Sequence, residues 1–143
     1  MMTTEMQKKA LSLLIKHEDD RKRAYLDTAG NITVGIGHNL SNRDVADDIR
    51  FRWAKEDIGE FYNHLSQTFP WYNKLTPERQ IALIDMAFMG WQHFLTFQKM
   101  IDCLSVNDFK GAALEILNSE YRREVGQRAI DIANIISQGV INV

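Results

Sequence analysis

The 143-residue sequence predicts a mainly α-helical, α+β fold with one small β element. Three observations carry that expectation. Apolar residues recur at helical spacing near both ends of the chain, a short stretch around a Gly-Asn turn switches to β-favouring residues, and a nearly all-apolar segment follows Thr76-Pro77-Glu78.

In chain order, Leu11, Leu14 and Ile15 stand at i, i+3 and i+4, which predicts a helix over about 3–17 with Thr3 or Thr4 as its cap. The pattern breaks at the charged run from Glu18 to Arg23, placing Glu18 at a helix end. Arg21, Lys22 and Arg23 form a basic cluster there, expected as a solvated turn. Tyr25-Leu26 and Ile32-Thr33-Val34 flank Gly30-Asn31 and predict a hairpin over 24–38. Gly35 and Gly37 alternate with Val34 and Ile36, weakening a regular strand but letting other backbone or a ligand come close. Helices are expected near 44–49, 52–67, 77–89, 95–104 and 107–118, with Ser105 and Asp108 resembling a cap. Thr76-Pro77-Glu78 supplies a capping hydroxyl, a proline at the first helical position and an acid in the first turn. The segment 81–89 suits a central helix surrounded by others, with Met86, Met89 and Met100 filling the core. Ala129, Ile132, Ala133 and Ile136 predict a last amphipathic helix stopped by Gly139.

Composition narrows the function class. The net charge of −2 disfavours a nucleic-acid binder, which needs a basic excess to neutralise phosphates. The single Cys103 excludes an intramolecular disulfide and is expected as a small buried hydrophobe. No apolar run approaches the roughly 20 residues of a membrane span, so no membrane insertion is expected, and no secretory leader is visible. The four His residues at 17, 38, 64 and 93 lack metal-type spacing, so no metal and no cofactor is expected. Gly35-Ile36-Gly37-His38 lacks the third glycine of a dinucleotide fingerprint and the Lys-Ser/Thr of a phosphate loop.

The carboxylates are more informative. Splitting a glycosidic bond needs one acid to protonate the leaving oxygen and a second carboxylate to activate water or stabilise positive charge. Glu18 at the end of an apolar helix is expected to be partly buried and to hold its proton, whereas Asp27 in a hairpin stays ionised.

The ordered string Glu18, Tyr25, Asp27, Gly30, Thr33, Gly35, Ile36, Gly37, His38 resembles the catalytic signature of the T-even phage-type lysozymes, glycoside hydrolase family 24. Weaker similarity runs through 53–58, 79–90 and 119–129. The resemblance implies one bilobed lysozyme-like domain over 1–143, with a small lobe at about 18–50 holding the hairpin. A helix over about 52–67 would join it to a larger helical lobe made of 1–17 and about 68–143. Glu18 then matches the general acid, Asp27 the second carboxylate and Thr33 the hydroxyl that places the attacking water in an inverting muramidase. Gly35, Gly37, His38 and Arg128 match positions that line the substrate. The implied partner is bacterial peptidoglycan, bound by a monomer. By the same resemblance the protein starts in the host cytoplasm and depends on a holin to reach the wall during lysis.

The chain departs from that pattern in three places. It is shorter after His38, Phe88-Met89-Gly90 lacks an amide residue that relatives carry near the sugar, and Asp131 stands where relatives often have a base. Two rival functions use the same scaffold. A lytic transglycosylase closes an anhydro ring without water, which Asp27 and Thr33 disfavour, and a non-catalytic wall-binding module would have no need of the carboxylate pair.

Overall fold

The computed structural model describes residues 1–142 and divides into two compact units, Met1–Arg52 and Trp53 onward. The fold is mainly helical with a small three-stranded antiparallel sheet, in line with a lysozyme-like architecture.

The first unit opens with α1, Thr4–Glu18, whose N-cap is Thr3: its hydroxyl accepts a bond from the Met6 amide at 3.2 Å. The helix runs one residue beyond the predicted end and makes Glu18 its last member. Asp19 then reverses the chain at φ 68°, ψ 173°, a region nearly reserved for glycine, while its amide still bonds the Ile15 carbonyl at 2.9 Å. Leu11, Leu14 and Ile15, the apolar repeat that predicts this helix, are exposed.

Strands β1 (Arg21–Leu26), β2 (Ile32–Gly35) and β3 (His38–Asn39) pair in that order. This corrects the predicted hairpin twice. Arg21, Lys22 and Arg23 belong to an edge strand and not to a turn, and a third short strand follows Gly37. Arg21 opposes Gly35 and Tyr25 opposes Thr33, with an irregular register between them. The Arg21 guanidinium lies 4.1 Å over the Tyr25 ring, a contact that helps an otherwise charged segment lie extended.

Helix α2, Asp47–Thr68, is continuous where the sequence predicts segments at 44–49 and 52–67. Nothing between Ile49 and Arg52 breaks a helix, Asp47 and Asp48 favour its start, and Arg50 pairs with Asp47 one turn back. The boundary between the units falls inside it, after Arg52.

The second unit continues with a 3₁₀ turn at Tyr72–Lys74 and α3 at Pro77–Ala87. Thr76 makes no side-chain cap bond, so α3 starts on proline and the first-turn acid alone. The helix predicted over 95–104 begins only at Gln98, as α5 (Gln98–Ser105), and is preceded by a short α4 (Trp91–Phe94) where the sequence predicts no element. The Thr96 hydroxyl bonds the His93 carbonyl at 2.6 Å, closing α4 and interrupting the run. Asp108, not Ser105, caps α6 (Phe109–Leu117) by accepting the Gly111 amide at 2.9 Å. A Cβ at Gly111 would run into that carboxylate. Helix α7 (Glu120–Val125) is not foreseen from the sequence, and α8 (Gln127–Gln138) stops at Gly139 in the left-handed conformation.

The core lies in this unit. Leu65, Leu83, Met86, Leu104, Ile116 and Ile136 are fully buried, and α8 packs on α3, α6 and α7. Each such side chain contributes about 1.5–3 kcal/mol by leaving water. Ile81 and Phe88 are exposed, so α3 is not surrounded on every side as its composition predicts. Cys103 is half-buried against the core instead of enclosed by it. Polar ties fasten the edges: the Tyr72 hydroxyl donates to the Gln80 carbonyl while the Gln80 amide donates to the Tyr72 carbonyl, both at 3.0 Å. Arg79 donates to the carbonyls of Ile136 at 2.7 Å and Ser137 at 3.3 Å, with its guanidinium 3.7 Å over the Phe109 ring.

Candidate active site

The first unit holds Glu18, Asp27, Thr33, Gly35, Gly37 and His38 together, while Arg128 lies in the second. Asp27 begins the turn between β1 and β2. Its backbone amide donates to the Asn31 carbonyl at 2.9 Å and its carbonyl accepts from Gly30 at 3.0 Å. Its Oδ1 accepts the amides of Ala29 at 2.9 Å and Asn31 at 2.8 Å. A short acid that folds back on its own loop is what aspartate does in turns. The loop offers Asp27 donors only, matching the acceptor-only chemistry of a carboxylate. Among the described residues, Oδ2 has no hydrogen-bond partner and is left for a ligand or water.

Thr33 is the one buried polar residue of the unit, and its hydroxyl donates to the Asn31 carbonyl at 3.3 Å. Asn31 therefore ties Asp27 to Thr33: its amide binds the carboxylate and its carbonyl takes the hydroxyl. The Asn31 side chain is itself held by Asn42, which donates to its Oδ1 at 3.2 Å. Around it, Ser41 accepts the Ile32 amide at 2.9 Å, and Asn39 accepts the amides of Ser41 at 2.9 Å and Asn42 at 3.1 Å.

Glu18, the last residue of α1, is exposed, which corrects the expected partial burial; α1 buries none of its residues. Its carboxylate makes no hydrogen bond or ion pair among the described residues and lies against Gly37 in the turn between β2 and β3. His38 sits on β3 opposite Val34, with its Nε2 buried and without a hydrogen-bond partner among the described residues. Gly35 ends β2 with φ 65° and open space where a side chain would be.

Arg128, at the start of α8, donates through Nε to Asp85 Oδ1 at 2.7 Å and through its terminal nitrogen to the Asp85 carbonyl at 2.9 Å. That bond holds the guanidinium above its ordinary pKa. The pair borders an apolar groove of about 360 Å³ lined by Ile58, Ile81, Ile84 and Phe88. Nearby, burial pushes the Tyr121 phenol up, against the opposing effect of Arg128.

Sequence reasoning missed Asn31, Asp85 and the conformation of Asp19. A short polar residue at the end of a Gly-turn signals Asn31 in hindsight; a partner 43 residues away gives no local signal for Asp85. Among the described residues, no three His, Cys, Asp or Glu side chains converge as a metal site.

No family model matches the sequence. Among curated proteins, the chain is similar to one described as Probable T4-type lysozyme 2 of Dictyostelium discoideum, 24% identical over 165 aligned positions that span 92% of this chain and 96% of that protein. Probable T4-type lysozyme 1 of the same organism is likewise 24% identical, over 90% of this chain and 94% of its own length. Both matches run nearly end to end, across the sheet-bearing unit and the helical unit alike, so the chain is similar to proteins described as T4-type lysozymes along almost its whole length.

Proposed function

We propose that the chain is a lysozyme-like peptidoglycan hydrolase that cleaves the β-1,4 bond between N-acetylmuramic acid and N-acetylglucosamine with inversion. Glu18 gives its proton to the leaving glycosidic oxygen. Asp27 accepts a proton from water as that water attacks the anomeric carbon from the opposite face, and Thr33 helps to place it. The observation that carries this reading is the shared anchoring of Asp27 and Thr33 on Asn31, in the same unit as a Glu18 carboxyl that makes no hydrogen bond or ion pair among the described residues. A carboxylate held by donors and a fixed hydroxyl form a seat for one water; an unpaired glutamic acid on another element is free to meet a substrate oxygen.

The physiological setting proposed is lysis of a bacterial host, with a holin-type partner opening the membrane. It rests on the resemblance of the motif alone.

The test is digestion of purified, peptide-trimmed glycan with mass analysis of the products. The wild type is expected to add one water per cut and leave reducing muramic acid ends, first as the α-anomer. Glu18→Gln should lose activity by about 10²–10⁴-fold while keeping its fold, since the amide has the shape but not the acidic proton. Anhydro ends would replace this reading with a transglycosylase, and tight binding without cleavage by the wild type would replace it with a binding module.

A further inference from the structure

We propose that Gly37 is a positioning residue for the Glu18 carboxyl: the side chain that Gly37 lacks is the seat in which that carboxyl lies. This rests on the assignment of Glu18 as the acid and adds what holds it in place.

Glycine at 37 is constrained twice. Its φ of +67° favours a residue without a side chain, as it does at Gly30 (+83°) and Gly35 (+65°). At Gly30 and Gly35 that is the whole account, because an added Cβ would meet nothing within 4 Å. At Gly37 the added Cβ would stand 3.0 Å from Glu18 Cγ and 3.2 Å from both Cδ and Oε2. Carbon atoms in good contact sit at about 3.5–4.0 Å, so Glu18 and a side chain at 37 cannot both keep their places.

Two features of the backbone bring them together. Glu18 is the last residue of α1, and Asp19 inverts the chain immediately after it, so β1 leaves in a new direction. The two-residue link Ile36-Gly37 then turns β2 into β3 against the Glu18 side chain. The carboxylate makes no hydrogen bond or ion pair among the described residues, and a side chain at 37 would remove the rotamer that it occupies. Gly35 and Gly37 look alike in sequence and are both expected to let other backbone or a ligand come close. The structure separates them: the space at Gly35 is open, and the space at Gly37 is taken by the acid.

The experiment compares wild type, Glu18→Gln, Gly37→Ala and Gly37→Asn on the same glycan. Asn tolerates left-handed φ far better than Ala, so Gly37→Asn keeps the backbone while still carrying the offending Cβ. Both Gly37 variants should lose kcat several-fold, up to about tenfold, because the acid must give way by a few tenths of an ångström. KM should change little, and the basic limb of the kcat pH profile, which follows the acid in the bound complex, should move. In the wild type, NMR should give cross-peaks between the Gly37 Hα and Glu18 Hγ protons.

Wild-type kcat and pH profile in both Gly37 variants, with Glu18→Gln inactive, would overturn the seat and leave the acid assignment standing. A raised KM at unchanged kcat would overturn it as well, by making Gly37 a substrate contact. An active Glu18→Gln would instead sink the acid assignment and with it the role of Gly37. Should neither variant fold, missing cross-peaks in the wild type overturn the proposal, and their presence supports it.

Discussion

Replacing Arg79 by Met should destabilise the second unit by about 2 kcal/mol, because the guanidinium closes the end of α8 and Met cannot. The last turn of a helix leaves carbonyls without internal partners, and here those of Ile136 and Ser137 both take Arg79 donors. Hydrogen bonds to charged groups contribute about 1.5–3 kcal/mol each. The 2.7 Å bond counts near that range and the 3.3 Å bond well below it. Stacking on Phe109 at 3.7 Å adds about 0.5–1 kcal/mol. Met keeps the stem against the ring, and water recovers part of the carbonyl bonding in this half-exposed corner, which brings the loss to about 2 kcal/mol. For a unit of this size each kcal/mol shifts Tm by about 4–8 °C, so a fall of about 10 °C is expected. Thermal unfolding followed by tryptophan fluorescence reads it cleanly, since Trp53, Trp71 and Trp91 all belong to the second unit. Arg79→Lys should recover less than half, lacking the planar fork. A shift below about 2 °C for Arg79→Met would refute the argument, showing water to serve those carbonyls as well as arginine does.

Asp27→Asn should melt like the wild type, because the amide oxygen still accepts from Ala29 and Asn31, yet lose activity by about 10²–10⁴-fold; a shifted melting curve would tie the loss to folding instead. Asp19→Gly should stabilise the protein by about 1 kcal/mol in denaturant titration followed by circular dichroism. Release of about 1–3 kcal/mol of backbone strain outweighs the roughly 0.5–1 kcal/mol of extra freedom that glycine gains on unfolding, and a loss of stability would contradict that balance. Burial pushes the Tyr72 phenol above its ordinary value of 10.0. The unfolded chain therefore gives up this proton first, and the contribution to stability is whole below pH 10.0 and declines as pH rises above it, at up to about 1.4 kcal/mol per pH unit. Tyr72→Phe should flatten that alkaline decline in urea midpoints measured from pH 9 to about pH 11, and an unchanged slope would assign it to other groups.

Legibility in the sequence followed the range of the interactions. Helix α8 was readable because its apolar period and the Gly139 stop are local, and the proline start of α3 for the same reason. The edge strand at Arg21-Lys22-Arg23 was hidden because its residues have charged, solvated side chains, and its extended form depends on pairing with a strand that follows later. One long α2 looked like two helices because a charged stretch without a breaker resembles a gap in an apolar pattern. Within the candidate site, Glu18, Asp27 and Thr33 stood out through motif spacing, whereas Asn31 did not, since it acts mainly through its peptide group. The exposure of Glu18 was unreadable for another reason. Apolar periodicity in α1 says which residues share a face, not what covers them.

Asn31 has a mechanical consequence. Asp27 and Thr33 are both hydrogen-bonded to the backbone of one residue, one to its N–H and one to its carbonyl, so when the loop breathes they travel together and the spacing between carboxylate and hydroxyl is shielded from that common motion. Glu18 takes its reference from a different turn, at Gly37. Fluctuations of the sheet therefore enter as a differential displacement between acid and water seat. On the proposed mechanism, the distance that would accommodate sugars of varying shape is the one left adjustable, and the distance that would hold a single water is the one made stiff.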